Sequence, residues 1–255
     1  MLGVEGLSRR FGGIYAVREV RLHVEQGELR GVLGPNGAGK STLFHLIAGH
    51  LSPDGGSVRL RGESIDRLGP AQRAEAGIAI VYQNDRIFRG MTLRENVMVG
   101  AHCRARHGFF AAALRTPRFR REERELAAIA DAVLDEVGLG GLADRFADAL
   151  PLGQQRSLQL ARALAASPSV LLLDEPASGL RAVERQRFAA TIQKLRARGV
   201  AILLIEHDVG LVTSLADRIT VLDLGTVIAE GTPAEIRADP AVIAAYLGGS
   251  EETLD

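Results

Sequence analysis

The run Gly34-Pro35-Asn36-Gly37-Ala38-Gly39-Lys40-Ser41 limits what this chain can fold into more than any other stretch. Its glycines break both helix and strand, yet the apolar residues 29–33 before it read as a buried strand and residues 39–48 after it read as a helix. A strand, a glycine-rich loop and a helix in that order make a phosphate-binding loop. Successive backbone N–H groups in such a loop turn inward toward an anion. The positive end of the following helix points at the same anion. Lys40 is then placed for the terminal phosphates and the Ser41 hydroxyl for a magnesium ion. Composition sharpens this: only Lys40 and Lys194 are lysines among 31 basic residues, so a lysine at this position is not a chance of usage.

The basic residues are matched by 31 acidic ones, and no global field favours nucleic acid. Cys103 is the sole cysteine, which excludes an intrachain disulfide. It reads as a packing residue. The first ten residues hold no apolar core of signal-peptide length, and no apolar stretch approaches the roughly 20 residues of a spanning helix. A membrane role would therefore require docking through a partner.

Short strands are expected at residues 20–25, 29–33, 57–61 and 77–82. A helical stretch follows from about 91 to 166. Thr92 and Glu95 form a capping box at its start. Leu126, Ile129, Ala130, Val133, Leu134 and Val137 share one helical face. The strand–helix alternation resumes after Pro168, with strands at 170–173 and 200–205, a helix at 182–198, a hairpin around Leu224-Gly225, and short helices over 232–248. The pattern predicts a parallel α/β core interrupted by a helical insertion, with antiparallel strands on one side.

Two acids end the 170–173 strand. Asp174 is placed for the magnesium shell, and Glu175 to accept a proton from, or orient, an attacking water. Two surface acids capping a strand would look the same in isolation. His207 ends the 200–205 strand at the carboxyl edge, where ligands bind in such sheets. A lone histidine there is more often a satisfied hydrogen-bonder; beside a phosphate loop it is a candidate γ-phosphate contact. Gln83 ends the 77–82 strand in the same way.

In order, these elements resemble the ABC ATPases over essentially the whole chain. Gln83 matches the glutamine-loop residue, Leu150-Pro151-Leu152-Gly153-Gln154 the signature segment, residues 171–175 the Walker B strand, Ser178-Gly179-Leu180-Arg181 the D-loop, and His207 the switch histidine. The resemblance implies a RecA-like P-loop core with an antiparallel β subdomain and a helical insertion. The expected boundaries are 1–88 and 158–231 for the core, 89–157 for the insertion and 232–255 for a helical tail. It implies ATP and Mg²⁺ as ligands. Phe11, Val17, Gly34, Asn36, Gly37, Ala38, Gly39, Lys40, Ser41 and Thr42 would contact the nucleotide, and Gly153 and Gln154 would cover a partner's nucleotide. Ser41, Gln83 and Asp174 would face the metal. Phe11, if it does not stack on adenine, is an ordinary core aromatic.

Phe11-Gly12-Gly13 with Ala16-Val17, residues 83–100, residues 108–123 and Ala244-Ala245-Tyr246-Leu247-Gly248 resemble the ATP-binding subunits of branched-chain amino acid importers. The resemblance implies a second ATPase subunit, two membrane-spanning permease subunits, an external substrate-binding protein, and a peripheral place on the cytoplasmic face of the inner membrane. A weakly hydrolysing regulatory subunit, a urea importer ATPase and a lipopolysaccharide exporter ATPase are the alternatives. Two positions depart from the family. Pro151 stands where a serine is usual, with neither a capping hydroxyl nor an N–H, a loss of about 1 kcal/mol for the cap. Arg181 stands where asparagine or aspartate is usual. Both lie on the face offered to a partner, which implies unequal sites in a heterodimer.

Overall fold

The computed structural model describes residues 1–83, 87–102 and 117–247; Cys103, most of the 108–123 stretch and Gly248 lie outside them. Three apolar runs become neighbouring strands of one six-stranded sheet: β3 (Leu29–Leu33), β7 (Val170–Asp174) and β8 (Ala201–Ile205). Every residue in all three is buried, as a sheet covered on both faces requires. The strand order is β10-β9-β3-β8-β7-β6, with β6 spanning Ile78–Val81. β3 pairs in parallel with both β8 and β9 (Arg218–Asp223), and β8 with β7. β10 (Thr226–Gly231) closes the hairpin expected around Leu224-Gly225.

The chain divides into two compact units. The first comprises Met1–Ile80, Ser169–Pro176 and the described residues from Gln193 onward. It also contains a four-stranded antiparallel sheet, ordered β2-β1-β4-β5. β1 (Leu2–Phe11) and β2 (Ile14–Val24) place Leu2, Val4 and Leu7 opposite Val24, Leu22 and Val20, so that one face is apolar. β4 (Gly55–Leu60) and β5 (Glu63–Ser64) extend it. α1 (Lys40–Ala48) follows β3, and α2 (Pro70–Glu75) precedes β6. Gly31 shows why β3 carries a glycine: a Cβ there would lie 2.3 Å from Cγ1 of Val212, in the helix that packs against the strand.

The second unit, Val81–Pro168 with Ala177–Ile192, is helical. Leu93–Ala101 forms α3, Pro117–Glu136 forms α4 and Leu152–Leu164 forms α5. α6 (Ala182–Ala197) begins in this unit. Leu93 and Val97 pack with Leu126, Ala130, Leu134 and Leu158, while Ile129, Val133 and Val137 flank that cluster half-buried. The helical face read from the sequence is the face that is covered. Thr92 accepts the Glu95 N–H, and the Glu95 carboxylate accepts the Thr92 N–H at 2.7 Å, completing the capping box. Buried Asn96 donates to the carbonyls of Phe88 and Thr92 and accepts the Phe88 N–H, fixing the approach to α3. Among the described residues no helix is long and apolar enough to cross a membrane.

Candidate nucleotide site

The phosphate loop leaves the carboxyl end of β3, Asp174 and Glu175 lie at the end of β7, and His207 follows β8, the strand between them. Topology alone therefore gathers these groups on one edge of the sheet. Within the loop, Gly37 (φ 81°) and Gly39 (φ 97°) adopt left-handed backbone. Gly39 caps α1 without a side-chain hydrogen bond, and the first turn of α1 carries no acidic residue. Those N–H groups suit an anion from outside the chain. The β9–β10 turn braces the loop, because the Gly225 N–H donates to the Ala38 carbonyl at 3.1 Å.

Lys40 folds back over the loop. Its Nζ donates to the carbonyls of Gly34 at 2.7 Å and Pro35 at 2.9 Å. Burial pulls its pKa down, while Glu175 and Asp174 push it up. Asp174 is buried, and its carboxyl is pushed up to about 6 by desolvation and by Glu175, against the pull of Lys40. One cation thus faces two carboxylates that repel each other, a donor set suited to a divalent cation and phosphates. Glu175 takes a positive φ of 45°, and its N–H donates to the Ile205 carbonyl at 2.9 Å. Backbone of that kind in a non-glycine residue is costly and concentrates at working sites. The turn aims Glu175 toward His207, with 3.6 Å between Oε2 and Nδ1. The His207 side chain is 61% exposed, so it is not held as a core histidine.

Phe11 is 47% exposed, which disposes of the core-aromatic alternative, and the Arg9 guanidinium lies 5.1 Å from its ring centroid. Val17 departs from expectation. The alternation of β2 turns it into the core, where it is fully buried and offers no surface to a nucleotide. Tyr246 is the residue the sequence reading missed as a site group. Its hydroxyl accepts the Gly34 N–H at 2.9 Å, 212 positions away in the chain. No local pattern signals a contact at that separation.

Gln83, Gly153 and Gln154 belong to the second unit. The Gln83 carbonyl accepts from Arg156 Nη1 at 2.7 Å. Pro151 caps α5 with no side-chain hydrogen bond. A Cβ on Gly153 would lie 2.3 Å from Glu184 Oε1, and the other Glu184 oxygen accepts the Arg181 N–H at 2.9 Å. The Glu184 carboxylate thus bonds the backbone at Arg181 and lies close against Gly153, leaving no room for a side chain there. A cleft of about 380 Å³ opens beside them, lined by Pro151, Gln154, Ser157 and Arg187 among others.

A phosphate loop, paired acids and a histidine on one parallel-sheet edge, with a helical unit carrying the signature segment, define a P-loop nucleotide-binding ATPase. The chain belongs to the ABC transporter family, whose model matches residues 17–178. A second model, described as branched-chain amino acid ATP-binding cassette transporter, matches residues 226–252. The chain is 45% identical over 249 residues to the high-affinity branched-chain amino acid transport ATP-binding protein BraF of Pseudomonas aeruginosa, covering 97% of this chain and 98% of that one. LivG of Escherichia coli, described in the same words, is 43% identical over the same shares. A solved ATP-binding cassette of an ABC transporter in its ADP conformation superposes with a TM-score of 0.85 at 30% identity, covering 97% of this chain and 98% of that one.

Proposed function

We propose that this chain is the ATP-hydrolysing subunit that energises import of branched-chain or similar amino acids. The observation that carries the ATPase reading is Lys40 held over the loop opposite Asp174 and Glu175. The transported class rests on the relatives named above. Gly37, Ala38, Gly39 and Lys40 would hold the phosphates, and Phe11 the adenine. Ser41 and Asp174 would hold Mg²⁺, which characteristically takes one or two protein ligands and completes its shell with phosphate and water. Bound there, the metal supplies charge neutralisation at the phosphates. Glu175 orients or deprotonates the attacking water. His207, next to Glu175, contacts the terminal phosphate. Gly153 and Gln154 act from the helical unit toward the nucleotide of a second ATPase subunit. The domain scheme of a core, a helical insertion and a short tail is part of the same reading. So are permease partners, an external binding protein and a peripheral place on the cytoplasmic membrane face.

A second reading concerns the partner. Pro151 offers α5 no capping side chain, and Arg181 brings a positive, exposed group to the D-loop. These favour a heterodimer in which the site built on this chain's phosphate loop is the stronger. Calorimetric titration of MgATP onto the purified chain tests the first reading. Binding that disappears in Lys40→Ala supports it, and a wild-type chain that does not bind refutes it. Co-expression with candidate permease and ATPase subunits, followed by affinity purification, tests the second. A stable homodimer with two equally active sites would overturn it.

A further inference from the structure

Gly34 is held by two hydrogen bonds and has no room for a side chain. Its carbonyl accepts from Lys40, its N–H donates to the Tyr246 hydroxyl, and a Cβ at its φ of 153° would lie 2.2 Å from the Leu222 carbonyl oxygen. No residue but glycine fits there, so the loop's first peptide has no side chain of its own to fix it. Tyr246 supplies that restraint from outside. Its ring is carried by two anchored helices, not by a loose tail. The first, Pro233–Ala238, is capped reciprocally by Thr232 and Glu235, and Arg237 Nη2 donates to Thr213 Oγ1 at 2.7 Å. The second, Pro240–Leu247, begins with Asp239 accepting the N–H groups of Ala241 and Val242 and buries Val242. Burial raises the Tyr246 phenol pKa, and the Gly34 N–H partly offsets this.

We propose that Tyr246 is a positioning residue for the nucleotide, through which the C-terminal helices set the affinity of the phosphate loop. This rests on reading the loop as the ATP site. Without the hydroxyl, the Gly34 N–H loses its acceptor, and the peptide turns to find another. That turn is passed through the Gly34 Cα to its carbonyl, one of the two on which Lys40 is anchored, so Lys40 shifts as well. Apparent affinity then falls in proportion to the fraction of loops still competent to bind.

Tyr246→Phe keeps the ring and deletes only the hydroxyl. Titration of the full chain with a fluorescent ATP analogue should show a dissociation constant raised about three- to tenfold, the scale of one net hydrogen bond. KM for MgATP should rise in parallel, with kcat within about twofold, because uniform binding is what is lost. Hydrogen exchange of the loop peptide should quicken in the ligand-free variant. If wild type binds and Tyr246→Phe binds equally well, or its loop exchanges at the wild-type rate, the proposal is overturned and the nucleotide reading stands. A fall in kcat at unchanged KM would overturn it too. A wild-type chain that does not bind the analogue would bring down the nucleotide reading itself.

Discussion

The nucleotide-free protein should become more stable when Asp174 is changed to asparagine, although the change removes a group proposed to hold magnesium. Asp174 is buried beside Glu175, and its carboxyl is lifted from 3.8 to about 6. That lift amounts to about 3 kcal/mol of extra cost for the charged form in the folded chain, as an upper figure. The folded protein holds this proton more tightly than the unfolded chain does. The cost is therefore absent below about pH 4, grows between about 4 and 6, and is full above that window. Asparagine keeps the shape and never ionises. Urea denaturation of wild type and Asp174→Asn should give nearly equal stabilities near pH 4 and a gap of up to about 3 kcal/mol in favour of the variant at pH 7.5. Saturating MgATP should reverse the order, because ligand stabilises only the form that binds it. A gap independent of pH, or a variant less stable than wild type at pH 7.5 without nucleotide, would refute the reasoning.

Glu175→Gln should lower kcat at least about a hundredfold while nucleotide affinity stays close to wild type, as loss of a general base does. Phosphate release by the assembled complex beside an equilibrium titration measures both, and an unchanged turnover would remove Glu175 from the chemistry. Thr92→Ala breaks the capping box of α3 and should cost about 1 kcal/mol in denaturant titration. An unshifted midpoint would mean that tertiary packing alone holds that turn.

The phosphate loop, the acids after β7 and the histidine after β8 were legible because each is a short motif at the end of an apolar run. The helical unit was legible at Leu126–Ala130–Leu134, where the 3.6-residue period is unbroken. β1 was not, because Gly3 and Gly6 interrupt its alternation. The strand instead accommodates a register shift between Val4 and Leu7, with Gly6 at φ 60°. α2, only six residues long, has too little periodicity to read. Val17 was misplaced because a motif gives a position and not a facing, and the pleat of β2 turned it inward. Tyr246 was invisible as a site group for a different reason. Its contact depends on where two short helices lead the chain, which no window of sequence encodes.

The strand that launches the phosphate loop has its two neighbours at β8 and β9, both beyond residue 200, and the turn that braces Ala38 lies at Gly225. During synthesis the loop emerges before either neighbour of its strand, which stays bare on both edges until residues beyond 200 have left the ribosome. Such long-range pairing is slow to form and leaves apolar edges open to aggregation. It also means that a half-made polypeptide has no finished cradle with which to capture cellular ATP.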